Sequence, residues 1–300
     1  MENEKLLLPE VKNELLSSCG VTLHVLRLDL LHQPAGGNKF FKLKYNIEEM
    51  KKRGLKKLLT FGGAFSNHIL ATSAAGKENR IETLGIIRGE ELNEHSNVVL
   101  QSACANGMRL YFVTREEYRT RYREEYHRQL KERFGNFHLL PEGGSNSLAV
   151  KGCSEIIALI NKDFDFICVP VGTGATLAGI ACALSKKQQA LGFVALANAK
   201  FLDEEVDRFI KEYSGKDAVN AKLIHDFHFG RYARSTDELE KFMQRFKEEN
   251  NIPLEATYSG KMMYGIFEML KGGYFVSGEK IIAVHTGGLQ VKRSSRNDLH

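Results

Sequence analysis

The sequence of 300 residues lacks tryptophan, has only five prolines and contains no long apolar run. No stretch approaches the roughly 20 apolar residues that a membrane-spanning helix needs, so we expect no membrane partner. The N-terminal segment carries charged residues without an apolar core, which argues against a signal peptide. The sequence therefore predicts a cytoplasmic protein.

Cysteine is also scarce, and no two of the five cysteines have the spacing of a CxxC motif. A scattered, odd number argues against a disulfide framework and against a zinc site. We therefore expect free thiols in a reducing compartment, and no bound metal. The five residues are Cys19, Cys104, Cys153, Cys168 and Cys182.

The sequence also lacks a large excess of basic or acidic residues, because 42 basic residues are nearly balanced by 37 acidic ones and the formal net charge is +5. The basic run at residues 119–134 contains glutamates at helical spacing, which is typical of a solvated helix face. No stripe interleaves aromatic residues with unopposed basic ones, and this argues against nucleic-acid binding.

What the sequence does contain is an alternation of short apolar runs with amphipathic stretches. This alternation predicts βαβ units and hence an α/β fold of mostly parallel sheets flanked by helices. Turn residues at Leu139–Ser147 separate two such blocks, and two domains with a cleft between them would suit a ligand that both contact. The predicted helices include residues 43–52, 67–77, 115–133, 176–186 and 261–271.

Three apolar segments run into glycine-rich turns, at Leu58–Ala75, Phe166–Leu184 and Ile281–Gln290. Ligands of open α/β sheets bind at the carboxyl ends of strands, where such turns lie. Glycine-rich turns also occur where they only connect a strand to a helix. Each of these three carries a hydroxyl residue, however, which favours a ligand site.

The turn VGTGAT is the best phosphate site of the three, because its glycines let the backbone approach closely and its threonines can add hydroxyl donors. Leu177 stands where a third glycine would complete a dinucleotide fingerprint. A single phosphate group therefore fits better than a pyrophosphate.

The stretch GGNKFFKL places Lys39 at the start of helix-like sequence, beside Phe40 and Phe41. A lysine that forms a Schiff base must be neutral to attack a carbonyl, and desolvation in an apolar setting favours the neutral amine. Lys39 is therefore a candidate for covalent chemistry.

Five motifs, GGNKFFKL, FGGAFSNH, VGTGAT, YSGKMMYG and HTGG, span Gly36–Gly288 in that order. Together they resemble the fold-type II pyridoxal-phosphate enzymes, the tryptophan synthase β-like group, and within it the 1-aminocyclopropane-1-carboxylate deaminase/D-cysteine desulfhydrase branch. The resemblance implies pyridoxal 5'-phosphate as cofactor, a homodimer and two domains. The larger domain would comprise residues 1–42 and 146–300, and the smaller one residues 43–145.

The resemblance also implies which residues hold the cofactor. Lys39 matches the lysine that binds it covalently, and Lys42 matches a second lysine at its phosphate. Asn67 matches the asparagine at the ring hydroxyl. Phe41 replaces an arginine that many relatives carry. The phosphate loop would be Gly172, Thr173, Gly174, Ala175 and Thr176.

For the small amino-acid substrate, the resemblance implies contacts from the FGGAFSNH motif and from two tyrosines. Ser66 matches a serine that faces the substrate, and Asn67 and His68 adjoin it. Tyr258 matches an active-site tyrosine, and Tyr232 matches a second one. Catalysis would involve Lys39, Ser66, Tyr258 and Tyr232.

Two residues bear on the choice of reaction. The deaminases resemble YEGK, with a glutamate that keeps the cofactor nitrogen protonated, whereas Ser259 stands at that place here. Thr286 matches a threonine of desulfhydrase-like relatives, whose hydroxyl implies a neutral and weaker electron sink. A weak sink suffices when a thiolate leaves, so we expect α,β-elimination from D-cysteine.

Other functions remain open at this point. The first alternative is 1-aminocyclopropane-1-carboxylate deaminase activity, which gives 2-oxobutanoate and ammonia. A cofactor-binding protein with little turnover is the second, because the chain departs from the family at Phe41. A nicotinamide-dependent dehydrogenase is disfavoured by the missing third glycine.

Overall fold

The computed structural model describes residues 7–32, 36–217, 220–230 and 235–289, and it confirms the predicted α/β fold of parallel sheets flanked by helices. The strands are β1 (Thr22–Arg27), β2 (Lys57–Gly63), β3 (Glu82–Arg88), β4 (Arg109–Val113), β5 (His138–Leu140), β6 (Phe166–Val171), β7 (Gln189–Val194), β8 (Ala221–Ile224) and β9 (Lys280–His285). The helices are α1 (Glu14–Cys19), α2 (Asn38–Lys52), α3 (Asn67–Asn79), α4 (Val98–Ala105), α5 (Arg115–Arg119), α6 (Glu124–Phe134), α7 (Ser147–Ser154), α8 (Ala175–Ala183), α9 (Phe201–Ser214), α10 (Asp237–Asn250) and α11 (Ser259–Lys271).

The described chain forms two compact units. The larger unit combines the described residues of Met1–Asn46 and Ser145–Gly287, and the smaller unit combines Ile47–Gly144 with the described residues of Gly288–His300.

The larger unit contains a five-stranded sheet in the order β1-β9-β6-β7-β8, with every neighbouring pair parallel. Its strands are apolar almost throughout because helices cover both faces. In β6, Ile167 and Val169 join one hydrophobic cluster with α7, α8 and α9, whereas Cys168 joins another with α1, α10 and α11. Since β6 and β9 are parallel neighbours, the turns after Val171 and His285 lie at the same edge of this sheet.

The smaller unit contains a four-stranded sheet in the order β4-β3-β2-β5, also parallel throughout. One face packs on α6 and the other on α3 and α4. The carboxyl end of β2 runs through Gly62 and Gly63 into the start of α3, so the FGGAFSNH motif is a strand-to-helix turn.

The main differences from the predicted elements are local. Helix α2 begins at Asn38 rather than at residue 43, because Gly37 turns the chain with a φ of 71° immediately before it. The helix predicted over residues 115–133 is two helices, since Thr120 ends the first one with hydrogen bonds to the carbonyls of its last turn. The short elements α1 and β8 escaped prediction.

Three further observations concern the chemistry of the fold. Within the four described ranges, no helix is long and apolar enough to cross a membrane. The same residues contain no group of three or more histidines, cysteines or acidic residues that could hold a metal ion. All five cysteines are free thiols, and Cys153 and Cys168 are buried.

Candidate active site

The start of α2 is held against the turn that follows β9. The Gly37 N–H donates to the Leu28 carbonyl at 3.1 Å, and the Asn38 N–H donates to the Thr286 carbonyl at 3.2 Å. A Cβ on Gly37 would lie only 2.1 Å from the Thr286 oxygen. With its left-handed backbone and this close approach, the position requires glycine. The GGNK and HTGG motifs are therefore in contact.

Lys39 lies in the first turn of α2, where surrounding protein removes most of the water from its amine. Although the residue keeps some accessible surface, burial lowers its pKa to about 8, opposed by the Cys153 thiol. At pH 7 about one molecule in ten then carries a neutral Lys39, against fewer than about one in a thousand for an ordinary lysine. The side chain is therefore suited to act as an amine.

Lys42 follows on the same face of α2 and is almost fully buried, with 2% of its surface exposed. Its amine donates to Ser145 Oγ at 2.9 Å and to Thr173 Oγ1 at 3.2 Å, and these two hydroxyl oxygens are 2.5 Å apart. Burial, and next the charge of Lys39, lower the pKa of Lys42 well below its usual range. Two crowded amines with converging hydroxyls suit a doubly charged anion such as a phosphate ester.

The glycine loop, Gly172–Thr176, follows β6 at the same edge of the sheet, and its last two residues are the first two of α8. Gly174 has a φ of 83° and turns the chain into the helix. The side chain of Thr176 accepts a hydrogen bond from Asn38 Nδ2 at 2.9 Å, so it ties the loop to the start of α2. Helix α8 begins two residues after Thr173, and the first N–H groups of a helix are able to bind an anion.

Tyr258 packs against this loop. A Cβ on Gly172 would lie 2.9 Å from the Tyr258 hydroxyl and 3.0 Å from Cε1 of its ring. The lack of a side chain at Gly172 therefore leaves room for the tyrosine. The predicted active-site tyrosine and the predicted phosphate loop are brought together in the larger unit.

Ser259 and Thr286, the two residues that bear on the reaction, have different surroundings. Ser259 is fully buried, and its Oγ accepts the Glu255 N–H at 3.0 Å while its own N–H donates to Glu255 Oε1 at 2.7 Å. Its hydroxyl is thus engaged within its own segment of chain. Thr286 is 9% exposed and lies directly after β9.

A buried polar network supports the turn that carries Thr286, and sequence reasoning missed it. His285 donates from Nε2 to the Pro253 carbonyl at 2.9 Å, and the Gly287 N–H donates to His285 Nδ1 at 3.2 Å. The same Nδ1 lies 3.4 Å from a carboxylate oxygen of Asp29. Arg27 holds that carboxylate with two hydrogen bonds of 2.8 and 2.7 Å.

The FGGAFSNH residues belong to the smaller unit. Ser66 is the N-cap of α3 and accepts the Ile69 N–H at 3.3 Å, and Asn67 is the first helical residue. His68 is 2% exposed, with its Nε2 2.7 Å from Thr60 Oγ1. Because Thr60 donates its own proton to the Leu140 carbonyl at 2.9 Å, His68 is the donor to Thr60.

His68 thus serves the core of the smaller unit. Contact of Ser66, Asn67 and His68 with a ligand stays a prediction. Tyr232 lies outside the described residues. Ser145 was missed because its glycine-rich surroundings indicated only a boundary between two blocks.

The geometry can be tested against the expected cofactor, an aldehyde that carries a phosphate group. Lys39 offers an amine with a lowered pKa, and Lys42 with the Ser145 and Thr173 hydroxyls offers a buried anion site. Both lie in one helical turn of α2. The residues of the larger unit therefore fit pyridoxal phosphate.

Comparisons with known proteins agree with this fit. A family model described as pyridoxal-phosphate dependent enzyme matches residues 12–287. A putative 1-aminocyclopropane-1-carboxylate deaminase of Pyrococcus horikoshii is 28% identical over 292 residues, covering 94% of this chain and 88% of the relative. The bifunctional D-cysteine desulfhydrase/1-aminocyclopropane-1-carboxylate deaminase, mitochondrial, of Arabidopsis thaliana is 29% identical over 295 residues, covering 90% of this chain and 73% of the relative. A crystal structure of an ACC deaminase homologue superposes with a TM-score of 0.83 at 26% identity, covering 94% of this chain and 89% of that one.

Proposed function

The chain belongs to the pyridoxal-phosphate-dependent enzyme family, and on that premise we propose that it converts D-cysteine and water to pyruvate, sulfide and ammonia. Bound pyridoxal phosphate supplies a covalent link to the substrate amine and an electron sink for its α-carbon. The protein must hold that cofactor, remove the α-proton and let the thiolate leave.

The single observation that carries the proposal is the placement of Lys39 in the same helical turn as the buried anion site of Lys42, Ser145 and Thr173. Burial there lowers the pKa of Lys39 to about 8. An amine of this pKa can take a proton near neutral pH, because it is partly neutral there and is still a base. Lys39 then has two roles, as the covalent anchor of the cofactor and as the base for the α-proton. Lys42, Ser145, Thr173 and the N-terminus of α8 hold the phosphate.

The preference for elimination is supported by Ser259 and Thr286. The Ser259 hydroxyl is engaged by the Glu255 N–H and is buried, so this position supplies no negative charge to a cofactor nitrogen. A hydroxyl from Thr286 leaves that nitrogen neutral. Loss of a thiolate needs less electron withdrawal than opening of a cyclopropane ring.

Substrate contacts complete the proposal. We place Ser66 and Asn67 at the substrate and cofactor ring, with Tyr258 and Tyr232 as the tyrosines of the site. In this arrangement the two domains enclose a cleft, and the active enzyme is a cytoplasmic homodimer. Light scattering of the purified protein tests the homodimer.

The second candidate is deamination of 1-aminocyclopropane-1-carboxylate, which is favoured by the names of the Pyrococcus and Arabidopsis relatives. This reaction uses the same lysine, but it requires the cofactor nitrogen to carry more positive charge. It would release 2-oxobutanoate and ammonia instead of pyruvate and sulfide.

The deciding experiment incubates the cofactor-loaded protein with D-cysteine, L-cysteine, D-serine and the cyclopropane amino acid, and measures keto acid and sulfide. Sulfide and pyruvate from D-cysteine are expected. Release of 2-oxobutanoate from the cyclopropane substrate without sulfide from D-cysteine would make deamination the better supported of the two functions. A yellow protein whose spectrum changes with none of the four would contradict both.

A further inference from the structure

Tyr258 stands at a place in the chain that local chemistry does not favour for tyrosine. It is the N-cap residue of α11, where serine, threonine, aspartate or asparagine usually accepts the first free N–H groups of a helix. Tyr258 makes no such side-chain bond. By contrast, Asn13, Asn97 and Thr236 cap α1, α4 and α10 with their own side chains.

Glu255 supplies the missing cap from three positions earlier. Its Oε2 accepts the Thr257 N–H at 2.7 Å, and its Oε1 accepts the N–H groups of Tyr258 and Ser259 at 2.8 and 2.7 Å. One carboxylate thus binds three consecutive backbone donors, with Tyr258 in the middle. Hydrogen bonds from peptide N–H groups to an ionised carboxylate are stronger than those to a neutral cap.

The backbone of Glu255 is fixed by the same segment. Its N–H donates to Ser259 Oγ at 3.0 Å, and its carbonyl accepts the Gly260 N–H at 2.9 Å. A Cβ on Gly260 would lie 2.9 Å from that carbonyl oxygen, so the glycine permits the approach. The residues from Glu255 to Gly260 therefore form a closed loop in which the backbone of Tyr258 has little freedom.

The ring of Tyr258 extends from this loop to the site. Gly172, at the start of the glycine loop, leaves the space that the tyrosine hydroxyl occupies. The chain just before Glu255 is tied to the same edge of the sheet, because the Pro253 carbonyl accepts a hydrogen bond from His285. A displacement of the backbone at residues 257–259 would consequently move the tyrosine away from the phosphate loop.

We propose that Glu255 is a positioning residue, whose carboxylate sets the place of Tyr258 against the glycine loop and thereby supports the reaction without touching the substrate. This inference rests on the proposed role of Tyr258. It also explains the presence of a glutamate whose described hydrogen bonds include no basic side chain. The carboxylate of Glu255 binds the three peptide N–H groups instead.

The test compares Glu255→Gln with Asn97→Ala, which removes a cap that binds two N–H groups of α4 in the smaller unit. Both variants should lose some stability. Only Glu255→Gln should lower kcat, by about 10- to 100-fold, with KM changed less than about threefold. Amide hydrogen exchange at residues 257–259 should be faster in Glu255→Gln by at least about tenfold.

A double variant separates positioning from general destabilisation. If Glu255 acts through Tyr258, Glu255→Gln should lower kcat less than about twofold further in a Tyr258→Phe background. The proposal would be overturned if the double variant lost kcat by the product of the two single losses, or if Glu255→Gln alone left kcat unchanged. If Glu255→Gln does not fold, the Glu255→Asp variant, which keeps a carboxylate on a shorter side chain, serves for the same comparison.

The result of the hydrogen-exchange measurement does not depend on which reaction the protein catalyses. Unchanged exchange at residues 257–259 would overturn the positioning role whatever the substrate proves to be. Faster exchange in a protein that turns over none of the four amino acids would leave Glu255 as the support of Tyr258 and contradict the proposed elimination instead.

Discussion

The amine of Lys42 lies 3.2 Å from the hydroxyl of Thr173, a contact that joins the helix carrying Lys39 to the glycine loop. Ser145 completes a triangle with them, and its oxygen is 2.5 Å from that of Thr173. The two hydroxyls bond to each other as well as to the amine. The site is therefore held together by the protein's own hydrogen bonds, and a bound anion would offset the desolvation penalty of the buried amine.

Replacement of Lys42 should separate cofactor affinity from stability. In Lys42→Met the two hydroxyls still bond to each other and a buried amine is removed, so the free energy of unfolding of the apoprotein should change by less than about 1 kcal/mol. The dissociation constant of pyridoxal phosphate should rise about 10- to 100-fold, because a charge-assisted contact is lost. Absorbance titration and urea unfolding measure the two quantities.

Lys44→Met is the matched control for this change. Lys44 lies two residues further along α2 and pairs with Glu155 at 2.6 Å. Its removal should leave cofactor affinity unchanged. Equal losses of affinity in both variants would show that the basic character of α2, and not the buried site, binds the phosphate.

The lowered pKa of Lys39 predicts a dependence of apoprotein stability on pH. Between about pH 8 and the ordinary lysine value of 10.5, the unfolded chain binds the proton at Lys39 while the folded chain has released it. Folding is therefore favoured as pH rises through this window, and the penalty for burying the charged amine is fully present below it. Wild type should gain stability relative to Lys39→Met from pH 7 to pH 10.

Urea unfolding of the two apoproteins at several pH values measures this difference in stability, and the contributions of titrating groups that do not interact with Lys39 largely cancel between them. A constant difference across the range would contradict the lowered pKa. The cofactor-loaded Lys39→Met variant should also show neither turnover nor the visible absorbance of a covalently bound cofactor.

How much of this site the sequence predicts depends on how far apart the partners lie along the chain. Lys39 and Lys42 share one helical turn, so their motif predicts them together. Ser145 is 103 residues from Lys42, and only the fold brings it there. Glu255 escaped notice because its partners are backbone N–H groups, which no side-chain pattern reveals.

The fold itself was more predictable than its details. Alternating apolar and amphipathic segments predict parallel sheets because both faces need helices. The start of α2 was placed too late, since the contact that sets it, from Asn38 to the carbonyl of Thr286, joins distant parts of the chain. The hydrogen bond between His68 and Thr60 in β2 likewise depends on the fold, and the substrate contact that the motif predicts for His68 stays a prediction.

A methyl group at Gly172 should displace Tyr258. The Cβ of Gly172→Ala would meet the tyrosine hydroxyl at 2.9 Å and the ring at 3.0 Å, both closer than ordinary contacts. We expect kcat to fall about tenfold with the cofactor still bound. Addition of Tyr258→Phe should restore part of the lost stability, because the nearest clashing atom is gone.

Gly272→Ala is the control, since its Cβ would make only ordinary contacts at 3.5 and 3.6 Å and its φ is −76°. It should have wild-type kcat. A Gly172→Ala variant that matched it in both stability and kcat would show that Tyr258 does not need its place against the loop.

A glutamate at position 259 should not create a deaminase. Ser259 is fully buried and its hydroxyl accepts the Glu255 N–H, so Ser259→Glu would bring a second carboxylate into a segment organised by the first. We expect a loss of at least about 2 kcal/mol in the free energy of unfolding and no release of 2-oxobutanoate. Ser259→Ala, which removes only the hydroxyl, should cost about 1 kcal/mol and retain sulfide release. A stable Ser259→Glu variant that gained deaminase activity would contradict this reading of the segment.

The pair His68 and Thr60 allows a test of whether the histidine serves the core or the substrate. Loss of either partner removes the hydrogen bond between these two buried groups, so His68→Phe and Thr60→Val should each cost about 1–3 kcal/mol in the free energy of unfolding. In the double variant both polar partners are replaced by apolar groups. Its cost should be smaller than the sum of the single ones by at least about 1 kcal/mol. Urea unfolding of the wild type, the two single variants and the double variant gives the four free energies that this comparison needs. Additive losses of stability, together with a raised KM in His68→Phe alone, would instead favour the substrate contact predicted from the motif.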